Sequence, residues 1–346
     1  MNKVKVGVVG YGAIGQRLAD AVVLQKDMEL VGVSDVFPTL SIRALYDSGL
    51  NYPIYLSKFD YKDKFDEIGI PVVGSLEELV QKVDILLDAS PAGIGAENKK
   101  IYEKYDKPAI FQGGESNDVA DVFFHGTTNY EKGLGKKYLK LTSCNTTGLI
   151  RSVNILNKTF GVHDVAVTII RRFADPGDYH RGLTNALKME PAPNHQAVDL
   201  MKIMPSIKAT GILVHTPVTH GHIITVIAKA NKKITKEKML KAIKDEPRIK
   251  VVSTAEGFLG NASFFKYARD CGHKRGDMYE IGLWEDSITE FEDGIMYAIN
   301  IPQESVTIPE TIDGIRASLN LQIKKEEALD KTNEYLGIGV DRHAQQ

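Results

Sequence analysis

The chain opens on a β-branched run, Val4-Lys5-Val6-Gly7-Val8-Val9, that stops at a cluster of glycines, and residues 17–24 then carry apolar positions at helical spacing. Strand, glycine turn and helix form the first unit that this pattern predicts. A second apolar run over residues 28–34 ends in Asp35, and shorter runs follow at 70–73, 84–88 and 108–112. Between them, Ser75 with Glu78 three residues later is a capping box that opens a helix, and residues 97–105 have helical composition. Short strands alternating with helices predict a parallel sheet covered on both faces.

After about residue 160 the pattern changes. β-rich runs at 164–170, 211–214 and 223–228 are longer, and residues 279–301 read as successive strands with a turn at Asp293-Gly294. A largely antiparallel sheet is expected here. A helix at 236–244, opened by Thr235, interrupts it, and helices at 309–321 and 325–336 close the chain. No repeat or low-complexity linker is present, so the domain junction is placed inside structured chain near Ser143-Cys144. The fold class expected is α/β: a Rossmann-type doubly wound parallel sheet plus an α+β domain.

Composition narrows the function. A length of 346 residues suits two domains of roughly 150 residues each. With 43 basic and 45 acidic residues the net charge is −2, so the attraction that drives nucleic-acid binding is missing and no nucleic-acid partner is expected. No apolar run approaches the ~20 residues of a membrane helix, and the first ten residues read as a strand rather than a signal peptide. A cytoplasmic protein with no membrane partner is expected. The two cysteines, Cys144 and Cys271, are too few for a disulfide framework or a four-cysteine zinc site.

Gly10-x-Gly12-x-x-Gly15 stands between a strand and a helix, the context that a dinucleotide-binding turn requires. Gly10 permits the tight turn, Gly12 lets backbone approach a pyrophosphate, and Gly15 allows close helix–strand packing. Asp35, twenty positions after Gly15, can accept hydrogen bonds from the adenosine ribose and would repel a 2′-phosphate. NAD is therefore favoured over NADP.

In Ser143-Cys144-Asn145-Thr146-Thr147-Gly148-Leu149 a cysteine sits where a strand runs into a helix, and the helix dipole there stabilises thiolate. Cysteine is also a common buried filler, but this polar flank is unlike a core segment. Cys271 has no such setting and reads as structural. His220-Gly221-His222 precedes an apolar strand; residues two apart in a strand share a face, so both imidazoles could reach one cleft. They read as a catalytic base, as structural histidines, or as a metal pair, although no further ligands stand nearby at metal spacing and no metal is expected. Arg171-Arg172, ending a β-run, suit a phosphate or carboxylate, or else exposed ion pairs. The lysine-rich stretch at 232–238 reads as a solvated turn and helix start.

These segments, together with Phe111-Gln112-Gly113-Gly114-Glu115, Arg171-Arg172-x-Ala174-Asp175-Pro176, and Gln303-Glu304-Ser305 ahead of Ile308-Pro309-Glu310, resemble the archaeal-type (type II) phosphorylating glyceraldehyde-3-phosphate dehydrogenases over almost the whole length. The resemblance implies an NAD-binding domain at 1–143, with C-terminal helices at 309–346 packing back on it, and a catalytic domain at 144–308. It implies Cys144 as nucleophile, His220 as base and Arg171 as an anion-binding arginine near the reacting centre. Ala13, Ile14, Gly113, Arg172 and Gln303 match positions that contact the dinucleotide, and Ser143, Asn145, His195 and Gln196 match positions that contact substrate. The implied partners are a phosphorylated aldehyde and inorganic phosphate, and the implied assembly is a homotetramer.

The chain departs from the family pattern at Asp35, where a basic residue that helps accept NADP is common, at Gln196 and Pro302, each in place of histidine, and in the loop at 176–182. Two other activities share parts of the pattern. Semialdehyde and acyl-phosphate reductases use the same cysteine and histidine logic, and a silent NAD-binding regulator with a drifted pocket would permit Gln196 and Pro302, although the intact Cys144, His220 and Arg171 argue against it.

Overall fold

The computed structural model describes residues 3–172 and 187–339. Residues 174–182 of the sequence pattern above lie outside them. The chain divides into two compact units, Met1–Thr142 with Ile308–Gly337, and Ser143–Thr307 with Ile338–Gln346. Among the described residues no helix is long and apolar enough to cross a membrane.

The first unit is built on eight strands: β1 (Val4–Val9), β2 (Met28–Asp35), β3 (Ile54–Leu56), β4 (Gly74–Ser75), β5 (Ile85–Asp88), β6 (Ala109–Phe111), β7 (Val122–Phe124) and β8 (Tyr138–Leu141). They pair in the order β4-β3-β2-β1-β5-β6-β8-β7, every ladder parallel. Strand order reverses between β1 and β5, and in such sheets the crevice beyond the carboxyl ends at that point receives ligands. The helix Ala13–Leu24 follows β1 directly. The Ser75 capping box forms as expected, with Ser75 Oγ accepting the Glu78 N–H and Glu78 accepting the Ser75 N–H.

Two features of this sheet depart from the sequence pattern. The run at 70–73 is not a strand, because Pro71 supplies no ladder donor; pairing starts only at Gly74. Strands β3, β7 and β8 are too short to show a period, and β3 and β8 are buried throughout, so neither alternates.

The helix Ile308–Ser318 is buried along its whole length. Its Arg316 is fully buried, with Nη1 donating to Asp27 Oδ2 at 2.6 Å and Nη2 to Gln25 Oε1 at 2.6 Å. Partial burial pushes the Asp27 carboxyl up, but Arg316 and Lys331 outweigh it and hold the group below the ordinary aspartate range. Arg316→Met removes the guanidinium and takes the donor from the buried Gln25 Oε1, at an expected cost of about 3 kcal/mol. A carboxylate with a depressed value contributes stability above its unfolded value, and that stability is lost as pH falls through the folded one. The gap between variant and wild type should therefore narrow below about pH 4. Urea midpoints at neutral and acid pH measure both effects; a neutral-pH loss under about 1 kcal/mol would remove Arg316 from this role.

The second unit carries β9 (Val162–Arg172), β10 (Lys188–Glu190), β11 (Lys208–Thr216), β12 (His222–Ala230), β13 (Ile249–Val252), β14 (Ile281–Trp284), β15 (Thr289–Phe291) and β16 (Gly294–Ile301). The order is β10-β11-β9-β12-β16-β14-β13, with β15 paired to β16 through the expected turn. Five ladders are antiparallel, whereas β9 pairs β11 and β13 pairs β14 in parallel, so the sheet is mixed. Val165, Val167 and Ile169 alternate as the buried face of β9, aligned with Leu213 of β11 and Ile224 and Val226 of β12. The helices Cys144–Phe160 and His195–Ile203 pack on these strands. On the other face Ile227 and Met296 stay 38% and 39% exposed.

Candidate active site

In the first unit the three glycines meet three different constraints. Gly10 has φ +84°, and a Cβ there would lie 2.8 Å from the Ala89 carbonyl oxygen, at the point where strand order reverses. A Cβ on Gly15 would overlap the Gly10 carbonyl oxygen. A Cβ on Gly12 would meet no other part of the chain within 4 Å among the described residues, so the space over the turn is open. Ala13 and Ile14 form the first helical residues beside that space, with no side-chain cap on their free N–H groups. Such an end is suited to a pyrophosphate.

Asp35 closes β2, and its Oδ2 accepts the Tyr11 N–H of the glycine turn at 3.0 Å. Burial pushes its carboxyl above the ordinary value, against hydrogen bonds from backbone Val36, Tyr11 and Phe37. Gly113 is exposed just beyond the carboxyl end of β6, and its neighbour Glu115 accepts the Gly95 N–H at 2.8 Å. The open turn, the bare helix end and the strand-end carboxylate together fit a dinucleotide.

In the second unit Ser143 caps the helix Cys144–Phe160, its Oγ accepting the Thr146 N–H at 3.3 Å. Cys144 is the first helical residue. Arg171 and Arg172 add positive potential at the sulfur, and the backbone N–H groups of Asn145 and Cys144 also favour the thiolate. Burial nevertheless outweighs all of these and pushes the thiol up. The structure thus reverses the direction expected from the helix end alone, because the dipole is a fraction of a charge and desolvation acts on a whole one.

Arg171 is where several elements meet. Across the sheet it is paired with His215 of β11, and His222 starts β12 one residue before Ile223, the partner of Ile170. The Arg171 charge acts on Cys144 and His195, each first in its helix, and on His222. His195 is held below the ordinary histidine range by desolvation and then by Arg171, and its Nε2 lies 2.7 Å from Gln196 Nε2. Gln196 is buried, and its Oε1 has no partner among the described residues. The Asn194 side chain caps this second helix, accepting the Ala197 N–H at 2.9 Å.

The two histidines of His220-Gly221-His222 do not share a strand face. The strand begins only at His222, and Gly221 has φ +75°, a conformation that turns the chain between them. His220 is half-buried in the preceding turn, with Nδ1 2.7 Å from Thr219 Oγ1 and its ring 4.6 Å from that of Phe265. His222 is buried, with Nδ1 2.7 Å from Asn145 Oδ1. Desolvation first, then Arg172, Arg171 and His215, keep its imidazole far below the usual histidine range.

Arg172 is buried and donates to Glu304 Oε1 at 3.2 Å. Gln303 Oε1 accepts the Gly221 N–H at 2.6 Å, which fixes the amide with its Nε2 donors left for a ligand. The partnership of Glu304 with Arg172, and that of His215 with Glu190 at 2.7 Å, were not legible in the sequence. His215 could have been found only from the register that sets it opposite Arg171. Cys271 is exposed. Among the described residues no group of three or more His, Cys, Asp or Glu side chains is placed to hold a metal.

Residues 143–286 match the model of the glyceraldehyde 3-phosphate dehydrogenase C-terminal domain, and residues 4–114 match that of the dihydrodipicolinate reductase N-terminus. The chain is 39% identical over 342 residues to a glyceraldehyde-3-phosphate dehydrogenase of Archaeoglobus fulgidus, covering 98% of this chain and 99% of that protein. It is 40% identical over 338 residues to the enzyme of the same name from Thermococcus sibiricus, covering 97% and 99%. A protein of that name from Hyperthermus butylicus is 39% identical over 340 residues, 98% of each chain.

Proposed function

Because the chain belongs to the glyceraldehyde-3-phosphate dehydrogenase family, we propose that it oxidises D-glyceraldehyde 3-phosphate with NAD and inorganic phosphate to 1,3-bisphosphoglycerate, through a thioester on Cys144. The observation that carries this reading is the convergence on Arg171 of a cysteine and a histidine from two helix starts and a further histidine from the neighbouring strand.

The chemistry follows from these side chains. Cys144, once ionised, adds through sulfur to the aldehyde carbon, and the oxygen that gains charge needs donors, for which the Cys144 backbone N–H and His220 are suited. His220, with no protein group on Nε2 among the described residues, accepts the hydroxyl proton as the carbon is oxidised. NAD, when bound, takes the hydride. A phosphate oxygen held by Arg171 and His195 then attacks the thioester carbon; the carbon–sulfur bond breaks, the acyl phosphate leaves and the thiolate returns. Ser143 and Asn145 flank the sulfur, and His195 and Gln196 open the neighbouring helix, which supports their assignment to substrate.

Gly10, Gly12, Ala13, Ile14, Gly15, Gly113, Arg172 and Gln303 are assigned to the dinucleotide. Asp35 is assigned to the ribose hydroxyls. Asp35→Ala should therefore raise the efficiency with NADP at least tenfold while lowering that with NAD, measured as kcat/KM for each. A wild-type enzyme that used both equally would deny Asp35 this role.

A homotetramer in the cytoplasm is part of this reading. The uncovered sheet face bearing Ile227 and Met296 supports self-association, and the two free cysteines fit a reducing compartment. Following NADH formation with glyceraldehyde 3-phosphate, with and without phosphate, tests the function. Phosphate-dependent turnover is expected. Phosphate-dependent activity only with another semialdehyde would move the chain to the acyl-phosphate reductases, and NAD binding without turnover would make it a regulator.

A further inference from the structure

His222 has no task in the reaction above, yet it is built as a functional group would be. It is 2% exposed, its Nε2 is buried without a partner among the described residues, and its Nδ1 is bonded to Asn145, the residue that follows the nucleophile. Leaving a buried ring nitrogen unpaired costs stability that an apolar side chain of similar size would not lose. Packing alone does not explain a histidine here.

The bond defines both partners. If Nε2 carried the ring proton, a donor would be buried with nothing to receive it, and orphaned N–H groups are rarer than orphaned acceptors. The proton is therefore on Nδ1, which donates to Asn145 Oδ1. With Oδ1 engaged, Asn145 can offer a ligand only its Nδ2 hydrogens, and no protein group among the described residues takes them. Burial first, and then the charges of Arg172, Arg171 and His215, strongly disfavour a second proton, so the ring stays in one neutral form.

We propose that His222 is a positioning residue for the reaction, holding the Asn145 amide so that its Nδ2 donors face the substrate oxygen beside Cys144. This rests on the dehydrogenase reading above. The register of the fold supplies the rigidity: His222 is the first residue of a strand paired on both sides, to β9 and to β16. Asn145 is in the first turn of the capped helix, directly after the nucleophile. The histidine thus acts one residue away from the nucleophile without touching it.

The test is a double-mutant cycle in the full-length enzyme, read as kcat/KM for glyceraldehyde 3-phosphate in the presence of phosphate. His222→Leu and Asn145→Ala should each lower it by about 30- to 100-fold, and the double variant should be no worse than the weaker single one, because both remove the same donor. His222→Asn places an amide N–H near the position of Nδ1 and should restore activity to within about fivefold of wild type. Asn145→Asp keeps an acceptor for His222 but loses the donors, and should fall with Asn145→Ala. Multiplicative losses in the cycle, or an active Asn145→Asp enzyme, would overturn the proposal. If His222→Leu does not fold, the Asn145→Asp and His222→Asn results decide alone. A wild-type enzyme inactive in this assay would instead remove the dehydrogenase reading itself.

Discussion

Cys144→Ser is expected to lower dehydrogenase turnover by roughly 10³-fold or more while leaving NAD binding nearly intact. The sulfur opens its helix, and a hydroxyl in its place has no comparable anion at neutral pH. NADH titration by fluorescence separates the two effects, since the dinucleotide turn lies in the other unit of the chain. Retention of more than about a tenth of the rate would contradict a covalent mechanism. The wild-type thiol carries its own pH signature. Burial pushes it up against Arg171 and Arg172, so the reactive thiolate is scarce at neutral pH in the free enzyme. Alkylation by iodoacetamide should therefore rise with pH through a midpoint above the usual thiol value of about 8.5. A midpoint near 6 would mean that the arginines and the helix end prevail over desolvation.

The second large effect is expected at His220. Replacement by asparagine should lower kcat by roughly 10²–10⁴, the usual contribution of a positioned base, with little change in thermal stability. The ring is half-buried in a turn, packed on Phe265 and bonded to Thr219, so its loss disturbs no strand ladder. A solvent-accessible imidazole can exchange protons during turnover, whereas His222 is buried and held in one neutral form. The effect should be greatest on kcat with a good substrate. A loss under about tenfold would place the base elsewhere.

The local patterns that the sequence carries are those made by near neighbours in the chain. The glycine turn after β1, the Ser75–Glu78 box, the Thr235 cap and the cysteine opening a helix all form within one or two turns of chain, and each was readable as residues at fixed offsets. The Asp293-Gly294 turn belongs to the same class. Short strands such as β3 and β8 escaped because three or four buried residues show no period, and Pro71 interrupted a run that hydrophobicity alone marked as a strand.

By itself, then, the sequence determined the α/β class, the two sheets and the residue types available for the chemistry, because periodicity and capping act locally. Tertiary structure alone decided how those residues are used. Register put His215 opposite Arg171, the turn at Gly221 separated His220 from His222, and the packing of helix on sheet joined His222 to Asn145. It also set the sign of the Cys144 shift, since desolvation depends on every atom around the sulfur, whereas the helix end that the sequence reveals is only one contribution.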